Sequence, residues 1–197
     1  MIPIKLSSQG LHRPEKLPVF LSADKGLSAA SRGTAYHTVM EHLPFTPEGK
    51  DPDSIRVFMD GLVEKGLLTP AERAAVDPWR ISAFFRSQTG REAMAAGELY
   101  KEAPFTMRHD LGGRQVLVQG TIDCYFRQGD GWVLVDYKSN YIDKENLEAE
   151  MQRLRAEYLP QLALYREALE GVTGQTVKKA VLYCFGIDKE ISIDEQS

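Results

Sequence analysis

Residues 114–140 read RQVLVQGTIDCYFRQGDGWVLVDYKSN. Arg114 to Arg127 is rich in Val, Ile, Thr and aromatics, which fit a pleated, half-buried surface, and it predicts a long strand. Gln128-Gly129-Asp130-Gly131 is a turn signal, because Gly and Asp tolerate the backbone conformations of a tight reversal. Trp132 to Tyr137 then returns as an antiparallel partner. Counting outward from the middle of the turn, Asp123 and Asp136 are equidistant. Residues facing each other in this way have Cβ atoms about 4.5–5.5 Å apart. Two carboxylates so placed repel, and more strongly as burial lowers the local dielectric. The pair is tolerable if it shares a proton or shares a cation. Lys138, two residues beyond Asp136, falls on the same strand face. The plainer alternative is a surface salt bridge in a structural hairpin.

Upstream of this hairpin the apolar period is also 2. Leu99, Lys101, Ala103, Phe105 and Met107 are expected on one face of a strand, with Tyr100, Glu102 and Pro104 on the other. A Gly-rich turn at residues 110–113 joins that strand to the next. Residues 28–97 read as a helical region. Tyr36, Val39, Met40 and Leu43 form one apolar stripe, and Ile55, Phe58, Met59, Leu62 and Val63 form another. Thr69-Pro70-Ala71-Glu72 and Thr89-Gly90-Arg91-Glu92 both fit a capping box, and Asp77-Pro78 fits a cap followed by a first-turn proline. Residues 1–27, with Pro3, Pro14 and Pro18 and no period, read as a linker or arm.

Downstream, Asp143 to Glu170 is helical in pattern, with Pro160 expected to bend it. Val177 to Phe185 is expected as the final strand, with residues 188–197 a tail. A helix between the hairpin and a further strand lets that strand join the same sheet. The expected class is therefore α/β, a central mixed sheet of about four strands in the order α-β-β-β-α-β behind an N-terminal helical region. Residues 28–187 would form one domain, divided at 97/98 into the helical region and the core.

Of the 197 residues, 43% are hydrophobic and 26% charged, and the formal charge is −4. This argues against a basic coat for non-specific phosphate binding, so any nucleic-acid contact must come from local groups or bound cations. Two cysteines, Cys124 and Cys184, are too few for a disulfide framework, a zinc knuckle or a four-cysteine iron–sulfur cluster. The longest apolar run, Ala180 to Phe185, is too short for a membrane span, and no charged-then-apolar leader opens the sequence. A soluble, cytoplasmic protein is expected. No Gly-x-x-x-x-Gly-Lys-Ser/Thr loop occurs, so no ATP site is expected in this chain.

Two carboxylates beside a lysine suit a hard divalent cation, which takes oxygen ligands and leaves positions for water and substrate phosphate. Such a cation polarises a phosphodiester and lowers the pKa of an attacking water, while the ammonium orients that water or neutralises developing charge. Leu154, Tyr158, Gln161, Leu162 and Tyr165 share one helix face, with Gln161 and Tyr165 stacked as an i, i+4 pair. That face is either an amphipathic core edge with satisfied hydroxyls or a polar surface beside the patch. His37 is either a boundary residue of the first helix or a ligand. Glu102 is either a solvent-facing strand residue or a third carboxylate.

GTAYHTVMEHL at 33–43, KEAPF at 101–105, VQGTIDCYF at 118–126, VLVDYKSN at 133–140 and YLPQLALY at 158–165 together resemble the RecB-type nuclease branch of the PD-(D/E)XK superfamily. In particular they look like the C-terminal nuclease domains of AddA-type helicase–nuclease subunits. The resemblance implies a restriction-endonuclease-like core in which His37, Asp123, Asp136 and the carbonyl of Tyr137 hold Mg²⁺ or Mn²⁺. Lys138 would be the lysine of the catalytic motif and Glu102 the acidic position of the first core strand. Tyr158, Gln161 and Tyr165 would form the helix motif that helps hold DNA.

The same resemblance implies an exonuclease acting on DNA, mainly single-stranded, in double-strand-break repair and recombination. Its partners would be a second nuclease subunit in a heterodimer and the helicase portion of the same subunit. Two other readings compete: a non-catalytic nuclease-fold module that binds DNA or a partner subunit, and a metal-dependent enzyme acting on another phosphate ester. The sequence departs from the family at Asn140, where relatives often carry an acid. It also lacks the four cysteines with which some relatives hold an iron–sulfur cluster. Without a motor motif the chain would be a cut-out domain or a stand-alone nuclease, and the unpatterned residues 1–27 favour the cut-out.

Overall fold

A computed structural model describes residues 27–139 and 145–193; Asn140 and most of the expected N-terminal arm lie outside them. The elements are α1 (Ala29–His42), α2 (Pro52–Glu64), α3 (Pro70–Ala75), α4 (Pro78–Arg86), α5 (Gln88–Ala95), β1 (Leu99–Leu111), β2 (Arg114–Gln128), β3 (Gly131–Lys138), α6 (Leu147–Thr173), β4 (Val177–Cys184) and β5 (Lys189–Ser192). Among the described residues no helix is long and apolar enough to cross a membrane.

The N-terminal helices start where a short polar side chain takes up an orphan amide. Ser28 accepts from Ser31 N–H, and Asp51 accepts from Asp53 and Ser54. Thr69 and Glu72 form the expected capping box, and Asp77 accepts from Trp79. The second expected box does not form. Ser87, the residue after α4, caps α5 by accepting from Gly90 N–H. Thr89 is thereby drawn into the helix and buried, its N–H bonded to Glu190 and its hydroxyl accepting from Lys179 Nζ.

This abrupt α4–α5 junction needs a glycine. A Cβ on Gly90 would overlap the Phe84 carbonyl oxygen and lie 2.8 Å from Phe85 Cα, both backbone atoms. Gly90→Ala is expected to lower stability by about 1–3 kcal/mol, the usual cost of forcing extra volume into a packed site. Urea unfolding would read this as a lower midpoint at constant slope. A variant as stable as the parent would contradict the close approach.

The sheet has the order β1-β2-β3-β4-β5, parallel between β3 and β4 and antiparallel elsewhere. The α/β class, the mixed sheet and the N-terminal helical region are as expected, but the strands number five. The extra one, β5, falls where a tail was expected. The chain turns at residues 186–188, with Asp188 at φ 54°, and buries Ile191 and Ile193 against the α6 side. An alternation this short, within four strand residues, carries little signal on its own.

The helices of residues 29–95 cover one face of the sheet, around Val39, Ile55, Phe84, Val133 and Val135. Helix α6 covers the other, around Leu134, Leu154, Leu162 and Leu182. Strand β3 is buried from Gly131 to Tyr137, as a strand covered on both faces should be. Each such Val, Leu or Phe contributes roughly 1.5–3 kcal/mol by leaving water. This double burial places the C-terminal end of β3 between α1 and α6, where Asp136 and Lys138 stand.

The β2–β3 register is the one counted from the turn. Gln128 faces Gly131, Tyr125 faces Leu134 and Cys124 faces Val135, and Asp123 and Asp136 come one step beyond this last pair. On the other side Lys101 faces Cys124 and Ala103 faces Ile122, which sets Glu102 against Asp123. Three carboxylates thus form a row across three strands. The expectation that Leu99 to Met107 share one face is not met. Lys101 reaches toward α1, donating to the carbonyls of Met40 and Leu43, whereas Phe105 packs on Tyr165 of α6. Glu102 between them has φ 46°, a left-handed conformation that reverses the alternation. β2 reverses with it: Cys124 and Phe126 join the core on the N-terminal side, and Ile122 joins that on the α6 side.

Candidate active site

The row of acids lies where both strands reverse, so side chains of opposite sheet faces meet there. Asp123 is 7% exposed. Ladder pairing between β2 and β3 runs only to Cys124 and Val135, and the Asp123 side chain continues it: Tyr137 N–H donates to Oδ2 at 2.7 Å. The other oxygen, Oδ1, stands 3.4 Å from His37 Nδ1, and Glu102 Oε1 stands 3.5 Å from the same nitrogen. His37 Nε2 donates to the carbonyl oxygen of Tyr137 at 3.2 Å. Helix α1 therefore delivers His37 onto the acidic row. Lys101, bonded to the carbonyls at the end of α1, ties that helix to the strand that carries Glu102. Nothing in the pattern KEAPF marks Lys101 for this, because its partners are backbone atoms distant in sequence.

His37, Glu102 and Asp123 offer ligand atoms that all lie within 4.8 Å of one another. Ligands of Mg²⁺ stand about 2.0–2.1 Å from it and so at most about 4.2 Å apart, a span these side chains reach by small adjustments. The donor set, two carboxylates with one imidazole, suits a divalent cation.

Asp136 is not part of that group. It is 1% exposed, and its Oδ2 lies 2.8 Å from Lys138 Nζ, a charge contact without hydrogen-bond geometry. Its Oδ1 accepts from Gln161 Nε2 at 3.3 Å, and the same amide donates to Tyr165 OH at 2.6 Å. Burial, then the charge of Asp123, pushes the Asp136 carboxyl well above the usual carboxylate range, while Lys138 pulls it down. A cation next to Asp123 would relieve that repulsion, so the residues present fit one. Burial also acts against the charge of Lys138, but Asp136 overrides it and holds the ammonium above the usual lysine value. Burial pushes the Tyr165 phenol up to about 12, so it stays protonated at neutral pH.

The structure thus brings His37, Glu102 and Asp123 to one point, with the Tyr137 carbonyl at the other nitrogen of the imidazole and Asp136, Lys138, Gln161 and Tyr165 beside them. Tyr158 is different. It is only 3% exposed and lies in the α6-side core.

The imidazole makes cation binding sensitive to pH. Burial lowers the His37 pKa, but hydrogen bonds and charge from Asp123 and Glu102 outweigh it and raise the group to about 10. Below that value the metal-free chain holds a proton that a cation must displace. Mn²⁺ affinity should therefore rise with pH, by up to about tenfold per unit, with a proton released on binding. Calorimetric titrations between about pH 6 and 9, in buffers of different ionisation enthalpy, read both quantities. An affinity indifferent to pH would remove His37 from the ligand set.

Residues 8–196 match the model of the PD-(D/E)XK nuclease superfamily, and the chain belongs to that superfamily. It is similar to an ATP-dependent helicase/nuclease subunit from Alkaliphilus metalliredigens, 36% identical over 186 residues, or 89% of this chain and 15% of that protein. It is 37% identical over 182 residues to the protein of the same name from Acetivibrio thermocellus, covering 86% of this chain and 14% of that one. The chain therefore spans about 15% of the length of the first of these relatives. Among solved structures, that of SSO0001 aligns with a TM-score of 0.36 and 15% identity over 83% of this chain and 67% of that one.

Proposed function

We propose that the chain is a Mg²⁺- or Mn²⁺-dependent deoxyribonuclease domain that hydrolyses phosphodiester bonds, mainly in single-stranded DNA. The observation that carries this is the row Glu102–Asp123–Asp136, closed on one side by His37 and on the other by Lys138. His37, Glu102 and Asp123 would hold the cation, while the Tyr137 carbonyl, by accepting from His37 Nε2, turns the Nδ1 side of the imidazole toward the acids. When bound, the cation supplies Lewis acidity to the phosphodiester and lowers the pKa of an attacking water. Asp136 holds Lys138 against the site, where the ammonium orients that water and offsets charge developing on the phosphate oxygens. Gln161 fixes the free oxygen of Asp136, and Tyr165 braces Gln161. An acidic chain is no obstacle to this role, since the cation meets the phosphate.

The name of the relatives supports a place beside a helicase motor. The partners would be a second nuclease subunit together with the helicase portion of the same polypeptide. A motor that unwinds DNA delivers single strands, which fits exonucleolytic processing of broken ends in cytoplasmic repair and recombination. The test is incubation of end-labelled single-stranded and duplex DNA with Mg²⁺ or Mn²⁺, with and without EDTA. Cation-dependent cutting that favours single strands supports the reading. Mn²⁺ binding without cutting supports the metal site and assigns strand delivery to the helicase partner. Neither cutting nor Mn²⁺ binding would overturn the reading and leave a non-catalytic module that grips DNA or a partner protein.

A further inference from the structure

Lys138 is held from two sides. Its Nζ lies 2.8 Å from Asp136 Oδ2 and 4.1 Å from the centroid of the Tyr158 ring, and its side chain is only 13% exposed. An ammonium over an aromatic face is attracted by the ring quadrupole, and the attraction grows as water is removed. The carboxylate and the ring do different things. A point charge on a flexible four-carbon stem can approach a carboxylate from many directions. The ring admits only those in which the ammonium rests on its face. Tyr158 itself cannot shift easily, being packed among Leu154, Leu162 and the other buried residues under α6.

We propose that Tyr158 is a positioning residue whose ring face seats the Lys138 ammonium for the reaction, and that it makes no contact with the DNA strand. The proposal rests on the nuclease reading for its effect on rate, but the seat itself is a property of the folded chain.

The test compares Tyr158→Leu, which keeps apolar volume and deletes the aromatic face, with Tyr158→Phe, which keeps the face and deletes the hydroxyl. In single-turnover cleavage at saturating single-stranded DNA, Tyr158→Leu is expected to be about tenfold slower and Tyr158→Phe within about threefold of the parent. Strand affinity, measured by fluorescence anisotropy with Ca²⁺ in place of Mg²⁺, should be the same in all three. Equal losses in both variants would assign the effect to the hydroxyl, and weakened strand binding would make Tyr158 a DNA contact; either overturns the proposal. So would parental rates in both.

A second readout needs no activity. In protein labelled with ¹³C-lysine, the Lys138 Hε signals, assigned by their absence in Lys138→Ala, should be shifted upfield by the ring in the parent and in Tyr158→Phe. In Tyr158→Leu they should return to the ordinary lysine position. No upfield shift in the parent overturns the seat. An upfield shift in a chain that binds no Mn²⁺ and cuts no DNA would uphold the seat and remove the nuclease reading instead.

Discussion

Lys138→Ala is expected to slow single-turnover cleavage by roughly 10²–10⁴-fold, the range over which positioned proton-transfer and charge-stabilising groups act. Mn²⁺ binding should survive, because Lys138 is not among the ligand atoms gathered at His37, Glu102 and Asp123. The loss has two sources. The ammonium no longer orients water or offsets charge at the phosphate. Asp136, 1% exposed, also loses its only cationic neighbour on β3. Burial and Asp123 already push its carboxyl up, and without Lys138 it rises further and takes a proton. That protonation limits the structural damage, since a buried carboxylate left charged and unpaired costs about 3–5 kcal/mol. Lys138→Arg should not rescue, because a planar guanidinium fits neither the Asp136 contact nor the Tyr158 face in the same pose. Quench-flow rates alongside Mn²⁺ calorimetry check the prediction, and a Lys138→Ala chain cutting within about threefold of the parent would sink it.

Asp123→Asn is expected to weaken Mn²⁺ binding more than about 100-fold, since even groups that only orient a metal ligand contribute 10–100-fold. Cleavage should fall below detection with it. The amide oxygen can still accept the Tyr137 N–H that Asp123 Oδ2 accepts at 2.7 Å, so the β2–β3 junction should hold. Asp123→Ala should give the same functional loss and a further loss of stability of about 1–3 kcal/mol, from a buried amide left without an acceptor. The contrast separates the two duties of one carboxylate: charge for the cation and an acceptor for the backbone. Equal stability of the two variants would mean that the hydrogen bond contributes nothing measurable. Retained Mn²⁺ affinity in Asp123→Asn would displace Asp123 from the centre.

Much of this arrangement is legible in the sequence, for identifiable reasons. A short Gly-Asp-Gly reversal pins the register of its hairpin, and that alone aligns Asp123 with Asp136. The caps at Thr69 and Asp77 sit where the sequence places them. The face reversal at Glu102 is not legible, because nothing about a glutamate announces a positive φ, and the row of three acids depends on it. β5 escapes notice because two isoleucines cannot distinguish a strand from a tail. Ser87 takes the cap expected of Thr89 because α4 ends just before it, and helix ends are set by packing as well as by propensity. Around the site, sequence spacing puts Asp123, Asp136 and Lys138 near one another but does not say which acids face the imidazole. The structure pairs Asp136 with Lys138 and Gln161 and sets Glu102 beside Asp123. Likewise a helical stripe containing Tyr158 and Tyr165 shows only that both share one face of the helix. Which of them lies beneath the lysine depends on how α6 packs across it.

The most direct measurement is the rate of cutting of end-labelled single-stranded DNA as Mn²⁺ is titrated in and then removed with EDTA, for the parent chain and for Asp123→Asn side by side. The expected result is a rate that saturates with Mn²⁺ and vanishes with EDTA in the parent, with no cutting by Asp123→Asn across the same titration. Cutting that persists in EDTA, or that Asp123→Asn retains, would contradict a cation-dependent nuclease centre at His37, Glu102 and Asp123.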